Sequence, residues 1–278
     1  MSEKIARYLT PAKFQWLLED RGIYFSQLSQ QSDKADGTND ANLIVDLLFN
    51  YAEKKSKGDL NVDSISKNEL ATSLASMNKY ERDIICISSW YLGDCESEYM
   101  WNNYAKDIKT GEVGVCIISS TSKIRYSIPD DLSAFVELDK IDYNSSKKAI
   151  SIGRNYYYKD DAFADECEFR LAFSLMQYSL VTGFEHPLVP KVTIGSNLKP
   201  SSEEFLKDYV KSPDTFLSQE LVKQKGDIGF ILKLELEDII SEIRLPPNCS
   251  EEHQKYFQKL IDESNYNFKL THSHLDAL

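Results

Sequence analysis

Ile84-Ile85-Cys86-Ile87-Ser88 is an unbroken apolar run of strand length, and the chain changes character there. Downstream, Val113–Ser119, Lys123–Ile128, Phe135–Tyr143 and Phe163–Phe173 carry β-branched or aromatic residues at strand length. A helical pattern at Tyr99–Lys106 interrupts them. Upstream, Ile5–Leu9 predicts a short strand and Thr10 an N-cap with Pro11 at the first helical position. Phe14, Trp16, Leu17 and Leu18 form the apolar side of that helix, which Gly22 ends, and Ile23–Leu28 predicts a second strand. Gln30 to Asn42 is polar and turn-rich and reads as a mobile loop, followed by a helix through Leu43, Val45, Leu47, Leu48 and Tyr51. Ser66 and Glu69 make an S-x-x-E capping box for a further helix reaching about Lys79. Past Gly183 the pattern predicts a strand at Val192–Ile194, a helix near Glu203–Val210, a strand at Ile228–Leu236 and a final helix from Ser250 through Tyr256, Leu260 and Ile261. The candidate linkers Gly195–Ser202 and Leu245–Ser250 separate no segment large enough to fold alone. The expectation is one α+β domain over 1–278, a mixed sheet with peripheral helices and a helical insertion or cap at about 40–80.

Composition narrows the function classes. The 278 residues include 32 Lys+Arg against 44 Asp+Glu, a net charge of −12 that disfavours diffuse binding to duplex nucleic acid or anionic lipid. Hydrophobic residues at 42% suffice for a buried core. The longest uncharged stretch, Leu171 to Phe184, is short of the ~20 residues that cross a bilayer. The N-terminal residues lack an apolar signal core, so a cytoplasmic protein is expected. Cys86, Cys95, Cys116, Cys167 and Cys249 show no metal-ligand spacing; Cys86, Cys116 and Cys167 lie in apolar runs and read as small buried hydrophobes. His272-x-His274 has no third ligand in sight and reads as an exposed tail, so no metal is expected.

The densest chemistry is in Phe163-Ala164-Asp165-Glu166-Cys167-Glu168-Phe169-Arg170-Leu171-Ala172-Phe173. Alternation along a strand places Phe163, Cys167, Phe169, Leu171 and Phe173 on one face and Glu166, Glu168 and Arg170 on the other. Two carboxylates ~7 Å apart can bracket a ligand hydroxyl or a developing cation. For an isolated E-x-E-x-R, a solvated face with an internal ion pair is the commoner arrangement. Trp101-x-x-Tyr104 shares one helix face, either as core or as an aromatic platform for a base. Arg7-Tyr8-Leu9-Thr10 and Gly22-Ile23-Tyr24-Phe25-Ser26 bring an Arg, a Tyr and a Ser to neighbouring strand ends. Dinucleotide, P-loop, nucleophile-elbow and zincin motifs are absent from the sequence.

Ile84–Ser88, Met100-Trp101-x-x-Tyr104-Ala105, Gly114-Val115-Cys116-Ile117, Phe163-x-x-Glu166-x-Glu168-x-Arg170 and Ile239–Pro246 together resemble a family of bacterial and phage proteins known only as a domain of unknown function. Arg7-Tyr8-Leu9-Thr10 and Tyr24-Phe25-Ser26 fit that family's opening, whereas its Asn-Asp-Pro turn is replaced by Asn39-Asp40-Ala41-Asn42 in a longer loop. The layout is also similar, at a distance, to ADP-ribosyltransferases. That resemblance implies a split central sheet, NAD as substrate, and an effector in a toxin or antiphage setting with a protein or nucleic-acid acceptor and a regulatory protein partner. It implies Glu168 as the catalytic carboxylate, Glu166 as the upstream member of the pair, Arg7 as the NAD-contacting first-strand residue and Tyr24 or Ser26 as the second-strand group; Tyr8, Thr10, Trp101, Tyr104 and Arg170 are the further candidate cofactor contacts. Arg170 departs from the pattern, because a cation on the same face competes with ligand for Glu168. Two other readings stand beside the enzyme: a non-catalytic nucleotide- or protein-binding module, and metal-dependent nucleic-acid hydrolysis, against which the net charge weighs.

Overall fold

A computed structural model describes residues 2–55, 64–189, 221–226 and 229–277. It is a mixed α+β fold built on a ten-stranded, largely antiparallel sheet. Strand β1 (Lys4–Leu9) leads into helix α1 (Pro11–Asp20) and back into β2 (Ile23–Gln27). Helices α2 (Ala41–Lys55) and α3 (Ser64–Ile84) follow, then β3 (Ile85–Leu92) and β4 (Val115–Ser120). β5 (Val136–Lys140) and β8 (Glu168–Ser174) complete one flank. β6 (Asp142–Tyr143) and β7 (Tyr158–Lys159) form a separate two-stranded parallel sheet. β9 (Val222–Gln224), β10 (Gly229–Leu232), β11 (Glu242–Arg244) and β12 (Leu270–Thr271) extend the main sheet at its two ends.

The pairing of β3 decides where a site can form. On one edge β3 pairs with β8 along its length, from Ile85↔Ser174 to Tyr91↔Glu168. On the other edge it is shared: β2 pairs at Cys86 and Ile87, β1 at Tyr91 and Leu92. Between them, at Ser88 to Trp90, β1 and β2 diverge into a fork, and α1 connects the two tines. Thr10 caps α1 by accepting from the Lys13 amide, and Phe14, Leu17 and Leu18 face the core. The Gly22 expectation needs one correction: Arg21, not Gly22, takes the left-handed conformation that ends α1 (φ 51°). Gly22 is required for space, since a Cβ there would strike the Leu232 carbonyl.

One face of the sheet carries the main core, with Ile5, Phe25, Cys86, Trp90, Phe169, Leu171, Phe173 and Phe230 buried together beneath α1 and the helix Glu251–Ser264. Burying each such side chain contributes roughly 1.5–3 kcal/mol. The opposite face holds two smaller apolar clusters, Ala6, Tyr8, Met100, Trp101 and Cys116 at one end and Ile85, Ile87, Ile141, Tyr156 and Tyr157 at the other. Between them the same face is polar.

Several local expectations are overturned. Phe163 to Cys167 is not strand: Asp160 caps a 3-10 turn over Asp161–Glu166, Cys167 is left-handed at φ 40°, and β8 starts only at Glu168. Cys167 is therefore exposed, although Cys86 and Cys116 are buried. Lys123–Ile128 is not strand: Lys123–Ser127 lies in a helix, Thr121–Ser127, because Ser120 accepts from the Lys123 amide and starts a helical turn, and Ile128 follows as its extended C-cap. Tyr99–Lys106 is a short turn, Glu98–Met100, followed by a π-helical segment, Trp101–Ala105. Phe135–Tyr143 breaks at Ile141, whose amide bonds the Glu168 carbonyl. α3 begins at Ser64 rather than at the Ser66 capping box and runs past Lys79 to Ile84. In the 228–236 stretch, the strand stops at Leu232 and a helical turn follows at Leu236–Ile239. The loop 30–42, read as mobile, is anchored by Asp36, which is buried against Arg170. The strand at 192–194, the helix near 203–210 and the 195–202 linker lie outside the described residues. Among the described residues, no helix is long and apolar enough to cross a membrane.

Candidate functional site

The fork between β1 and β2 opens into a cleft of about 460 Å³, within the range of ligand pockets. Seven of the ten expected site residues line it: Arg7, Tyr8, Tyr24, Ser26, Tyr104, Glu166 and Glu168. Three do not. Thr10 is occupied as the α1 cap. Trp101 is buried beneath Tyr8 at 5.1 Å and donates its indole N–H to Glu96, so it is a packing residue. Arg170, 0% exposed, lies behind Glu168 rather than on the cleft wall.

Strand alternation explains the floor. Glu168 and Arg170 are on the sheet face opposite Phe169, Leu171 and Phe173 and share that face with Ser89. Glu168 is 4% exposed, and its Oε1 accepts from Ser89 Oγ at 2.5 Å and Arg170 Nε at 2.6 Å. Its Oε2 meets Arg170 Nη2 at 2.9 Å and Lys159 Nζ at 2.8 Å. Glu166 arrives from the end of the 3-10 turn, not from the strand. Its Oε1 accepts from Tyr104 Oη and its Oε2 from Lys159 Nζ, both at 2.5 Å. Arg170 also forks onto Asp36 at 3.0 and 2.9 Å and donates to the Tyr156 carbonyl. Five charges thus interlock, Asp36, Glu166 and Glu168 against Lys159 and Arg170, with one negative charge in surplus.

Burial on its own raises the Glu168 carboxyl, but Arg170 and Lys159 outweigh it and hold the group down to about 2. Burial likewise opposes the charged form of Lys159, and Glu168 with its acidic neighbours reverses that, so the ammonium persists. Tyr104 is pushed up by burial and by its bond to Glu166, and it stays a phenol.

The other end of the cleft is cationic and aromatic. Arg7 donates from Nη2 to the Tyr24 carbonyl at 3.2 Å, bridging the fork, and its guanidinium is 5.8 Å from the Trp90 ring. Among the described residues it has no ion-pair partner, and burial lowers it to about 10, leaving it charged at neutral pH. Lys13, Trp16 and Asp20 reach the cleft from α1, and Lys225 pairs with Asp20 while sitting 5.1 Å from the Trp16 ring. Trp90 is 1% exposed, and its indole N–H has no partner among the described residues although the side chain borders the cleft. Tyr24 and Tyr91 swing over Gly229 and Gly93, where any Cβ would meet their rings.

Sequence reasoning missed Lys159, Asp36, Ser89 and Trp90. Ser89 was legible, since Ile85-x-Ile87-x-Ser89-x-Tyr91 continues one strand face beyond Ser88, and Trp90 was legible only as the apolar residue of the other face, Cys86-x-Ser88-x-Trp90. Lys159 and Asp36 come from polar, aperiodic segments with no motif around them.

The arrangement can bind an elongated ligand with an anionic part toward Arg7 and a hydroxyl-bearing or electron-poor part toward Glu168. Among the described residues, no three His, Cys, Asp or Glu side chains are grouped to hold a metal ion. No protein-family model, curated protein or solved structure matches the chain.

Proposed function

We propose that the chain binds NAD in the forked cleft and transfers ADP-ribose to a macromolecular acceptor, as an ADP-ribosyltransferase-like effector. One observation carries this reading: Arg7, Tyr24, Glu166 and Glu168, drawn from separate parts of the chain, line a single cleft between diverging strands. A split sheet with an Arg on the first strand, a Tyr or Ser on the second and a Glu on a later one is the layout that the sequence resemblance implies. The toxin or antiphage setting rests on that resemblance alone.

The residues present suit the substrate. Arg7, free of carboxylate partners among the described residues, offers a charge-assisted donor to a diphosphate. Tyr24 and Tyr104 offer aromatic and hydroxyl surface. Glu168, ionised at all physiological pH, accepts from a ribose hydroxyl and stabilises positive charge building at the anomeric carbon as the bond to nicotinamide breaks. Nicotinamide departs with the bonding electron pair, the acceptor forms the new bond to the same carbon, and Glu166 takes the acceptor's proton. Ser89 and Arg170 hold Glu168 in place from behind.

The test is nicotinamide release and transfer of adenylate-labelled NAD to host-lysate macromolecules, wild type against Glu168→Gln. The proposal expects a signal that the substitution removes, with a loss of roughly 10² or more for an electrostatic group at the reacting centre. Equal background signals from both proteins reject it. A second reading, a binding module without catalysis, is favoured by the saturation of Glu168: Ser89, Arg170 and Lys159 already use both of its oxygens. It expects NAD or another nucleotide to bind without cleavage.

A further inference from the structure

Lys159 stands apart from the other donors around the two carboxylates. Ser89 and Arg170 belong to β3 and β8 at the centre of the main sheet, and Tyr104 to the π-helical segment packed on it. Lys159 belongs to β7, a two-residue strand paired only with the two-residue β6. Its ammonium bridges Glu166 at 2.5 Å and Glu168 at 2.8 Å, with Asp36 3.9 Å away, and the residue is 7% exposed on the cleft wall. Without Lys159, Glu168 still has three hydrogen bonds, from Ser89 and Arg170, and Glu166 still has Tyr104. The lysine is therefore not needed to aim either carboxylate. It occupies the space in front of them, where the ribose hydroxyl and the incoming acceptor have to come.

We infer that Lys159 is an autoinhibitory latch, an internal cation that occupies Glu166 and Glu168 in the resting chain and must withdraw with β7 before the carboxylates can act. The inference rests on the cleft being the functional site proposed above. Withdrawal takes the local charge from one surplus negative to two, so a cationic group entering the cleft stabilises the unlatched form. Breaking the short β6–β7 ladder leaves the main sheet's pairing intact. The single ammonium is the point of control. Where the latched form holds about nine-tenths of the population, freeing the carboxylates raises their apparent availability about tenfold.

Amine labelling of the full-length wild type with N-acetoxysuccinimide, read by mass spectrometry at each lysine, tests the latch directly. The expected result is that Lys159 reacts about tenfold or more slowly than the exposed Lys255. Millimolar agmatine, a soluble guanidinium probe, should then raise the Lys159 rate severalfold and leave Lys255 unchanged. A Lys159 rate that agmatine does not move overturns the latch, and this readout needs no variant to fold. The link to turnover is read from Lys159→Gln, which should release nicotinamide from NAD about tenfold faster than wild type. Wild type and a folded Lys159→Gln releasing nicotinamide equally fast overturns the latch and leaves the enzyme proposal standing. Agmatine-dependent labelling with no cleavage of NAD by either protein upholds the latch and rejects the enzyme.

Discussion

Replacing Arg170 by Met removes the residue on which the site's construction depends. Its guanidinium makes five hydrogen bonds, two to Glu168, two to Asp36 and one to the Tyr156 carbonyl, with no solvent exposure. Methionine fills a similar volume but leaves two buried carboxylates and a carbonyl short of donors. Removing one partner of a buried ion pair costs about 3–5 kcal/mol. Lys159 remains at 2.8 Å from Glu168 and 3.9 Å from Asp36, which places the loss toward the lower end of that range. Against a total stability of about 5–15 kcal/mol this is a large fraction, equivalent to a fall of about 10 °C in melting midpoint. Urea unfolding followed by far-UV circular dichroism at neutral pH measures it. Adding Asp36→Asn to Arg170→Met should cost less than the sum of the two single changes, because it removes one of the stranded charges. A loss under about 1 kcal/mol for Arg170→Met, the value of an exposed pair, would refute the buried-cluster argument.

Two further outcomes follow from the same physics. Glu168 and Glu242 are both held at about 2 in the fold, Glu168 by Arg170 and Lys159 against its burial and Glu242 by Arg244 and Thr271 against its own. Their stabilisation is complete above the unfolded carboxylate value of about 4.3 and is lost as pH falls from there through about 2, with the larger share from Glu168 because Glu242 is partly exposed. Urea midpoints should therefore drop steeply across that window, and a flat profile would contradict the assignment. Trp101→Phe should cost about 1 kcal/mol or slightly more through the lost bond to Glu96, measured by the same unfolding assay, while ligand affinity of the cleft stays unchanged.

How far the sequence could be read depends on which interactions set each segment. β1, α1, β2, β3 and the helix after Ser250 were legible because apolar periodicity and caps act locally: Thr10 and Ser250 each bond an amide three residues on. Lys123–Ile128 misled because Ile124 and Ile128 fit a helix spacing as well as a strand's content, and the Ser120 cap decided between them. The Glu-x-Glu pair was legible as two neighbouring carboxylates and wrong as strand geometry. A left-handed Cys167 and the Asp160 cap turn Glu166 off the strand, yet the turn still brings it beside Glu168 through Lys159. The pairing of Arg170 with Glu168 is local and legible in the sequence, but its burial and its second partner, Asp36, are tertiary facts that connect positions 134 residues apart. Nothing within a window of sequence encodes that contact. Trp101 was ambiguous between platform and core, and Glu96 with Tyr8 settles it as core. His272 and His274 read as an exposed tail, and both side chains are exposed, yet the His274 amide and Ser273 Oγ are bonded to the buried Glu96. That carboxylate is itself paired with Arg244 at 3.2 Å.

We propose the fork between β1 and β2 as a nucleotide site anchored by Arg7. Calorimetric titration of NAD into the wild type and into Arg7→Ala tests it most directly. The account predicts saturable binding to the wild type, weakened by roughly 10- to 100-fold in the variant, as expected for the loss of a charge-assisted hydrogen bond of about 1.5–3 kcal/mol. No binding to the wild type, or equal binding to both proteins, would contradict it.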